Sequence, residues 1–259
     1  MSPAQCGYNN SKSPFTDVRV RHALQMALDL ETINKTYWKG YADVTPIGYL
    51  GTGLVGYQNP YDEWPEDLKQ YYRYDPEGAK KLLDQAGYPV GADGWRFETD
   101  LQVRDLYDVT FYEIAAESFR KIGVNVKMLI MDTTTWVNHI NKRTYGMTSH
   151  ASGGDWSPGN NHGHGVTTST WSPASVWDPY YDFLVNAFLA GTTVEEQQRA
   201  SKVADQYFTY QHYFLWGGKA PTFSAAHPWV KGYNGELDMG GVQQGAILAR
   251  LWIDQDLKQ

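Results

Sequence analysis

The chain has a single cysteine, Cys6, among its 259 residues. An internal disulfide is therefore excluded, and cysteine usage cannot place the compartment. A cysteine this near Met1 raises the question of a lipidated leader. MSPAQ has neither a basic start nor an apolar run, so no signal sequence is expected in this chain. No apolar stretch reaches the ~18 residues that a membrane-spanning helix requires. Positive charge is in deficit as well: 22 Lys plus Arg face 29 Asp plus Glu, a net charge of −7. That balance argues against nucleic-acid or anionic-membrane partners, both of which reward basic patches. Catalytic motifs are missing too: there is no GxSxG, P-loop, GxGxxG, HExxH or CxxC. The only thiol lies in the polar leader, which disfavours a Cys–His nucleophile. A carboxylate pair for glycoside hydrolysis is recognised by distance in space, so a saccharide-acting hydrolase stays open as an alternative.

Aromatic residues are abundant. Ten Trp, 19 Tyr and nine Phe make 15% of the chain, a content that suits wet binding clefts as well as cores. The most informative stretch is PFTDVRVRHALQMALD, Pro14 to Asp29. Its spacing predicts a helix with Val20, Ala23, Leu24, Ala27 and Leu28 on one apolar stripe and Arg21, His22, Gln25 and Asp29 on the opposite face. Thr16 and Asp17 supply the cap. A second helix is predicted over Asp75 to Pro89, DPEGAKKLLDQAGYP, with Asp75 as cap, Pro76 at the first position and Gly87 closing it. Ala79, Leu82, Leu83 and Ala86 form its buried stripe.

Between and after these helices the pattern is α/β. The first fifteen residues read as polar and irregular. A short helix is expected over Ile33 to Trp38, and 41–64 reads as a long structured loop, of a length often tied to function. A strand over 96–103, a helix over 109–122, a strand over 124–131, a helix over 134–142 and a strand near 145–150 follow. The tract 152–177, rich in Gly, Ser, Thr and Asn, reads as loop. Helices are predicted over 178–189 and 194–212, short strands over 213–216 and 222–225, and a strand-like end in AILARLWI. No repeat period or low-complexity tract is visible.

The order PF-x-D-x-R-V-R-x-A-L-x-x-A-L-D, followed by Y-D-P-x-x-A-K-x-L-L-x-x-A-G-Y-P, resembles the extracytoplasmic solute-binding proteins of peptide- and nickel-type ABC transporters (family 5). The resemblance covers about Pro14 to Trp252. It implies an α/β fold of the type II periplasmic-binding-protein kind, two lobes around a cleft that closes by hinge motion, with a mixed sheet flanked by helices. A full member is about twice this length, so the resemblance places 1–13 as a leader, 14–218 as most of the second lobe and 219–259 as a return segment of the first. Gly217-Gly218 is the expected hinge. The parent would work outside the cytoplasmic membrane, delivering a peptide or similar small solute to the permease subunits of an ABC importer without chemistry or cofactor. The export signal would belong to the longer parent chain. A lone second lobe should expose apolar surface and self-associate.

In peptide-binding relatives an acidic residue in a segment resembling W-x-A-D-Y-x-D/E-P pairs with the peptide's free amino group. Ser152-Gly153-Gly154-Asp155-Trp156-Ser157-Pro158 stands at that place. Asp155 and Pro158 match; Ser152, Gly154, Trp156 and Ser157 depart from the pattern. Asp155 is thus the expected ammonium partner, through a charge-assisted bond, with Trp156 beside it for apolar or cation–π contact. Capping of a local turn is the alternative role for Asp155. Trp136, Trp171 and Trp177 are candidate cleft walls. His162-Gly163-His164, with His150 upstream, is the best metal candidate, but a polar loop accounts for it equally well, so no metal site is assigned. A nickel or metal-chelate carrier of the same fold is the remaining alternative.

Overall fold

A computed structural model describes residues 5–149, 157–169, 171–220, 225–235 and 248–258. The chain opens with strand β1 (Gln5–Tyr8) and helices α1 (Val18–Met26) and α2 (Leu30–Thr36), then crosses a long loop to the short α3 (Glu66–Lys69) and to α4 (Pro76–Gln85). Strand β2 (Phe97–Arg104), helix α5 (Val109–Lys121), strand β3 (Val124–Met131), helix α6 (Thr133–Lys142) and strand β4 (Met147–Ser149) form the α/β centre. Helices α7 (Pro158–Gly165), α8 (Pro179–Leu189) and α9 (Val194–Gln211) lead to β5 (Phe214–Trp216). Strands β6 (Val230–Lys231) and β7 (Trp252–Ile253) pair as a separate two-stranded sheet.

The main sheet is mixed, in the order β3-β2-β4-β1-β5. β2 runs parallel to β3 and β4, whereas β1 is antiparallel to β4 and β5. The reading of the first fifteen residues as irregular is therefore corrected. Residues 5–8 lie inside the sheet, with Cys6 and Tyr8 fully buried. QCGY is too short to show alternation, and its two neighbours, both far along the chain, determine its conformation. Because Gln5 pairs with Trp216, the incoming and outgoing strands of this body lie side by side.

Alternation along β2 divides the two faces. Leu101 and Val103 join α1, α4 and α5 in the main core. Gln102 and Arg104 point to the other side, where α6 packs Trp136 and Ile140 around Tyr145. A third cluster joins α8 and α9 to Tyr49, Leu50, Ala174 and Val176.

Caps account for most helix starts. Asp17, Asp29, Asp75, Asp108, Asp132, Ser157, Asp178 and Thr193 each accept a backbone N–H of the first turn. Thr193 and Glu196 form a full capping box. The cap at Asp29 starts α2 earlier than the predicted Ile33, and Lys39 and Gly40 end that unit at φ of 56° and 82°. The loop tract 152–177 is corrected in part, because 158–165 is helical. Ser157 caps α7, Pro158 opens it, and buried His162 ties it to its neighbours. Gly, Asn and His disfavour a helix, so tertiary contacts override the local preference.

The polar face of α1 is the larger departure from the expected pattern. Arg21, His22 and Gln25 are buried, at 3%, 6% and 1% exposure. They receive the end of α9 and strand β5. Arg21 donates to Gln211 O twice, at 2.8 and 2.6 Å, and to Phe15 O at 2.6 Å. His22 Nε2 meets Tyr210 O at 3.0 Å. Gln25 bonds Trp216 through both N and O, at 3.0 and 2.7 Å, and its Oε1 also lies 3.1 Å from His212 Nε2. The helix is thus buried on both sides: its apolar stripe in the core, its polar stripe on the otherwise unsatisfied carbonyls of α9.

The long loop is anchored at several points, among them the bridge between Asp43 and Lys219, the bond that Ser201 Oγ donates to Tyr57 O, and a buried carboxylate. Asp205 of α9 is fully enclosed and accepts from Leu50 N at 2.9 Å, Asn59 N at 3.1 Å and Asn59 Nδ2 at 3.3 Å. Gly48 lies so close that a Cβ there would sit 2.8 Å from Asp205 Oδ1, so that position has room only for glycine. Residues 222–224 of the expected strand 222–225, and the first residues of AILARLWI, lie outside the described residues; Trp252 and Ile253 end the latter as β7.

Candidate functional site

The order β3-β2-β4 fixes where a ligand site can form. From β2 the chain crosses by α5 to β3 on one side, then returns by α6 over the opposite face to β4 on the other side. β2 and β4 are therefore the neighbours whose connections diverge, and open α/β sheets bind ligands beyond the carboxyl ends of such a pair. Arg104 ends β2 and Ser149 ends β4, and Arg104 N donates to Ser149 Oγ at 3.0 Å.

Arg104 carries the charge at this edge. It is half-buried, and its Nε donates to Thr133 Oγ1 at 2.9 Å, at the first residue of α6. The guanidinium lies 5.4 Å from the Tyr107 ring centroid and 6.0 Å from that of Trp136. Among the described residues no carboxylate pairs with it. The Tyr107 side chain also hydrogen-bonds the guanidinium, and a guanidinium held in this way is suited to recognising a carboxylate through its outward donors. Arg104 escaped the sequence reading because no motif contains it. The available signal was positional: the last residue of an alternating strand, on that strand's polar phase.

Trp136 lies beneath this edge and not in its wall. It is 1% exposed, and its indole N–H donates to Thr148 Oγ1 at 2.8 Å. Trp171 meets it edge-on, with ring centroids 5.8 Å apart, and is itself partly exposed. Trp177 is 64% exposed, ahead of α8. Asp155 and Trp156, with His150, lie outside the described residues. The segment that contains them, 150–156, follows Ser149 in the sequence.

His162, expected in a polar loop, is instead a buried residue of α7. Its Nδ1 lies 2.8 Å from Tyr181 OH and its Nε2 2.9 Å from Ser201 Oγ, which occupies both ring nitrogens. Burial lowers its pKa to about 4, favouring the neutral ring. Among the described residues no group of three or more His, Cys, Asp or Glu side chains is placed to hold a metal ion. The internal cavity between α9, β5 and Tyr49 holds only about 20 Å³, too little for a solute.

Residues 3–173 match the family model described as bacterial extracellular solute-binding proteins, family 5 Middle. The chain is 25% identical over 247 residues to heme-binding protein A of Haemophilus influenzae, covering 90% of this chain and 42% of that protein. It is 27% identical over 248 residues to the periplasmic oligopeptide-binding protein OppA of Escherichia coli, covering 91% and 44%. Among solved structures, a dipeptide-binding protein from Pseudoalteromonas sp. SM9913 in complex with Met-Leu superposes with a TM-score of 0.72 at 23% identity, over 90% of this chain and 46% of that one. These neighbours have the type II periplasmic-binding-protein fold, as the mixed sheet flanked by helices does here. The chain spans less than half the length of the relatives named.

Proposed function

This chain belongs to the bacterial extracellular solute-binding proteins of family 5, and from that footing we propose that it forms most of one lobe of a binding protein for an ABC importer. The solute is a peptide or a similar small molecule with a free carboxylate, held between this lobe and a second one. The observation that carries the reading is Arg104, a half-buried cation at the diverging edge of the sheet. Asp155, in the segment that follows β4, takes the ligand's ammonium, with Trp156 beside it, so the two ends of a zwitterionic peptide meet opposite charges. Trp171 borders the site and Trp136 supports it from below. The protein acts outside the cytoplasmic membrane, hands its solute to permease subunits and performs no catalysis. Gly217-Gly218 serves as the hinge: Gly218 has φ +91°, next to the bridge between Asp43 and Lys219.

Calorimetric titration of the full-length parent with short peptides tests the assignment. Arg104→Ala should weaken binding about 100-fold or more, because a charge-assisted pair in a closed cleft contributes roughly 3 kcal/mol. Arg104→Lys should recover part of the loss. Unchanged affinity in Arg104→Ala, or turnover of chromogenic glycosides by the parent, would overturn the reading.

The hairpin β6–β7 belongs to the other lobe in this proposal. Trp252 and Ile253 are 57% and 47% exposed there. The chain alone should therefore self-associate, and sedimentation velocity should show species larger than a monomer at high concentration. A strict monomer would contradict that part.

A further inference from the structure

The Arg104 edge carries more apolar surface than a carboxylate alone requires. Arg104 and Met131 are register partners in the parallel pair β2–β3, so their side chains stand next to each other on one face of the sheet. Met131 and Tyr107 are both half-buried, packed against the cluster that contains Trp136. The Tyr107 ring meets Trp136 edge-on, with centroids 6.1 Å apart, and its hydroxyl accepts from the guanidinium. Between Arg104 and Tyr107 the chain makes a β-turn. Tyr107 N donates to Arg104 O at 3.0 Å, and Asp105 N donates to Met131 O at 3.0 Å, which pins the turn to the end of β3. Gly, Asn, Asp and Ser usually occupy such a tip. Here the tip is Leu106, 70% exposed.

We propose that this turn selects the solute's terminal side chain. The carboxylate that Arg104 takes belongs to a residue with a large apolar side chain, leucine or phenylalanine in kind, and Leu106, Tyr107 and Met131 cover that side chain. The proposal rests on the carrier reading above and names the class of peptide within it.

The chemistry follows from the layout. A carboxylate bonded to Arg104 lies about 3 Å from the guanidinium nitrogens. The side chain one carbon away is then within reach of the residues that flank the arginine. Methionine is unbranched and polarisable and tyrosine offers a flat apolar face, so both accept side chains of different shape. Other polar groups of this edge are engaged. Asp132 caps α6, while Asp108 caps α5 and accepts from Tyr37 OH at 2.7 Å. Asp105 is exposed in the turn. Its charge disfavours an acidic side chain beside it, whereas a basic one would gain only a screened attraction.

Calorimetry of the full-length parent with the dipeptides Ala-Ala, Ala-Leu, Ala-Phe, Ala-Glu and Ala-Lys tests this. Ala-Leu and Ala-Phe should bind about tenfold tighter than Ala-Ala, as expected when an apolar site takes up extra methylenes. Ala-Glu should bind more weakly than Ala-Ala. Leu106→Ser, a change at an exposed turn, should shrink the ratio of Ala-Leu to Ala-Ala to about threefold. Tyr107→Phe keeps the ring but removes the hydroxyl that holds Arg104. It should weaken every peptide by a similar factor, about threefold, and leave the ratio intact. Equal affinity for Ala-Ala and Ala-Leu, tighter binding of Ala-Lys or Ala-Glu than of Ala-Leu, or a ratio that Leu106→Ser leaves unchanged would overturn the proposal. A loss of all binding in Arg104→Ala would still uphold the carrier reading in those cases. Binding that Arg104→Ala leaves unaltered, or no binding of any of these peptides, would overturn both.

Discussion

Lowering the pH from 7 to 4.5 should destabilise this chain by several kcal/mol at most, through three buried histidines. Burial pushes the pKa of His22 and His162 down to about 4, and that of His212 well below its usual value. Their surroundings explain why. His22 stacks on Tyr71 at 3.7 Å and lies beside Arg21; His212 is enclosed by His22, Arg21 and Tyr72. His162 lies between Tyr181, Ser201 and Phe188. A depressed pKa means that the unfolded chain binds protons more readily than the folded one. Stability from these groups is complete above about pH 6.5 and is lost as pH falls towards 4. At about 1.4 kcal/mol per unit, His22 and His162 alone account for roughly 6 kcal/mol as an upper figure, against the 5–15 kcal/mol of a typical domain. Asp205 works in the opposite sense. Desolvation raises its pKa to about 6, outweighing the N–H bonds it accepts, so the folded chain gains a proton there as pH falls from 6 towards 4. That gain offsets about one histidine, leaving a net loss. Urea unfolding at several pH values measures the slope directly. A free energy that is flat or rising between pH 6.5 and 4.5 would refute the assignment, and His162→Gln should make the slope shallower.

Much of this architecture is legible in the sequence. Caps and stripes place α4, α5, α8 and α9, and alternation places β2, because in those segments local preference and tertiary burial agree. The failures share one physical cause. β1, α7 and the polar face of α1 are built from residues whose partners lie far along the chain: Gln5 with Trp216, His162 with Ser201, Arg21 with Gln211. No window of neighbouring residues contains such a pair. A helical wheel assigns Arg21, His22 and Gln25 to solvent because it counts polarity, whereas the fold uses them as donors and acceptors for a helix end and a strand. The same limit applies to the binding site. Asp155 is marked by a motif, but Arg104 gains meaning only when the order β3-β2-β4 shows that its strand ends at a diverging pair.

Two arginines in the opening motif, one residue apart from each other, provide the sharpest test of that distinction. Arg19 pairs with Asp17 at 2.6 Å but is 46% exposed and also bonds Gln85 O. Solvent screens such a pair, so Arg19→Ala should change stability little. Arg21 sits in the interior with no acidic partner among the described residues. It makes three bonds to carbonyl oxygens, and its guanidinium lies 5.1 Å from the Tyr213 ring. Burial lowers even its pKa, to about 10, which still leaves it charged at neutral pH. Arg21→Ala would strand Gln211 O and Phe15 O without donors and open a gap between α1 and the end of α9. Each orphaned carbonyl costs about 1–3 kcal/mol, so a total near 4 kcal/mol is expected, enough to unfold a marginal domain at 37 °C. Arg21→Lys should recover little, because one ammonium on a flexible stem cannot serve carbonyls on two sides. Chemical denaturation of the three variants decides the matter. Similar losses for Arg19→Ala and Arg21→Ala would mean that the motif is kept for its charge, and not for the joint it makes with α9.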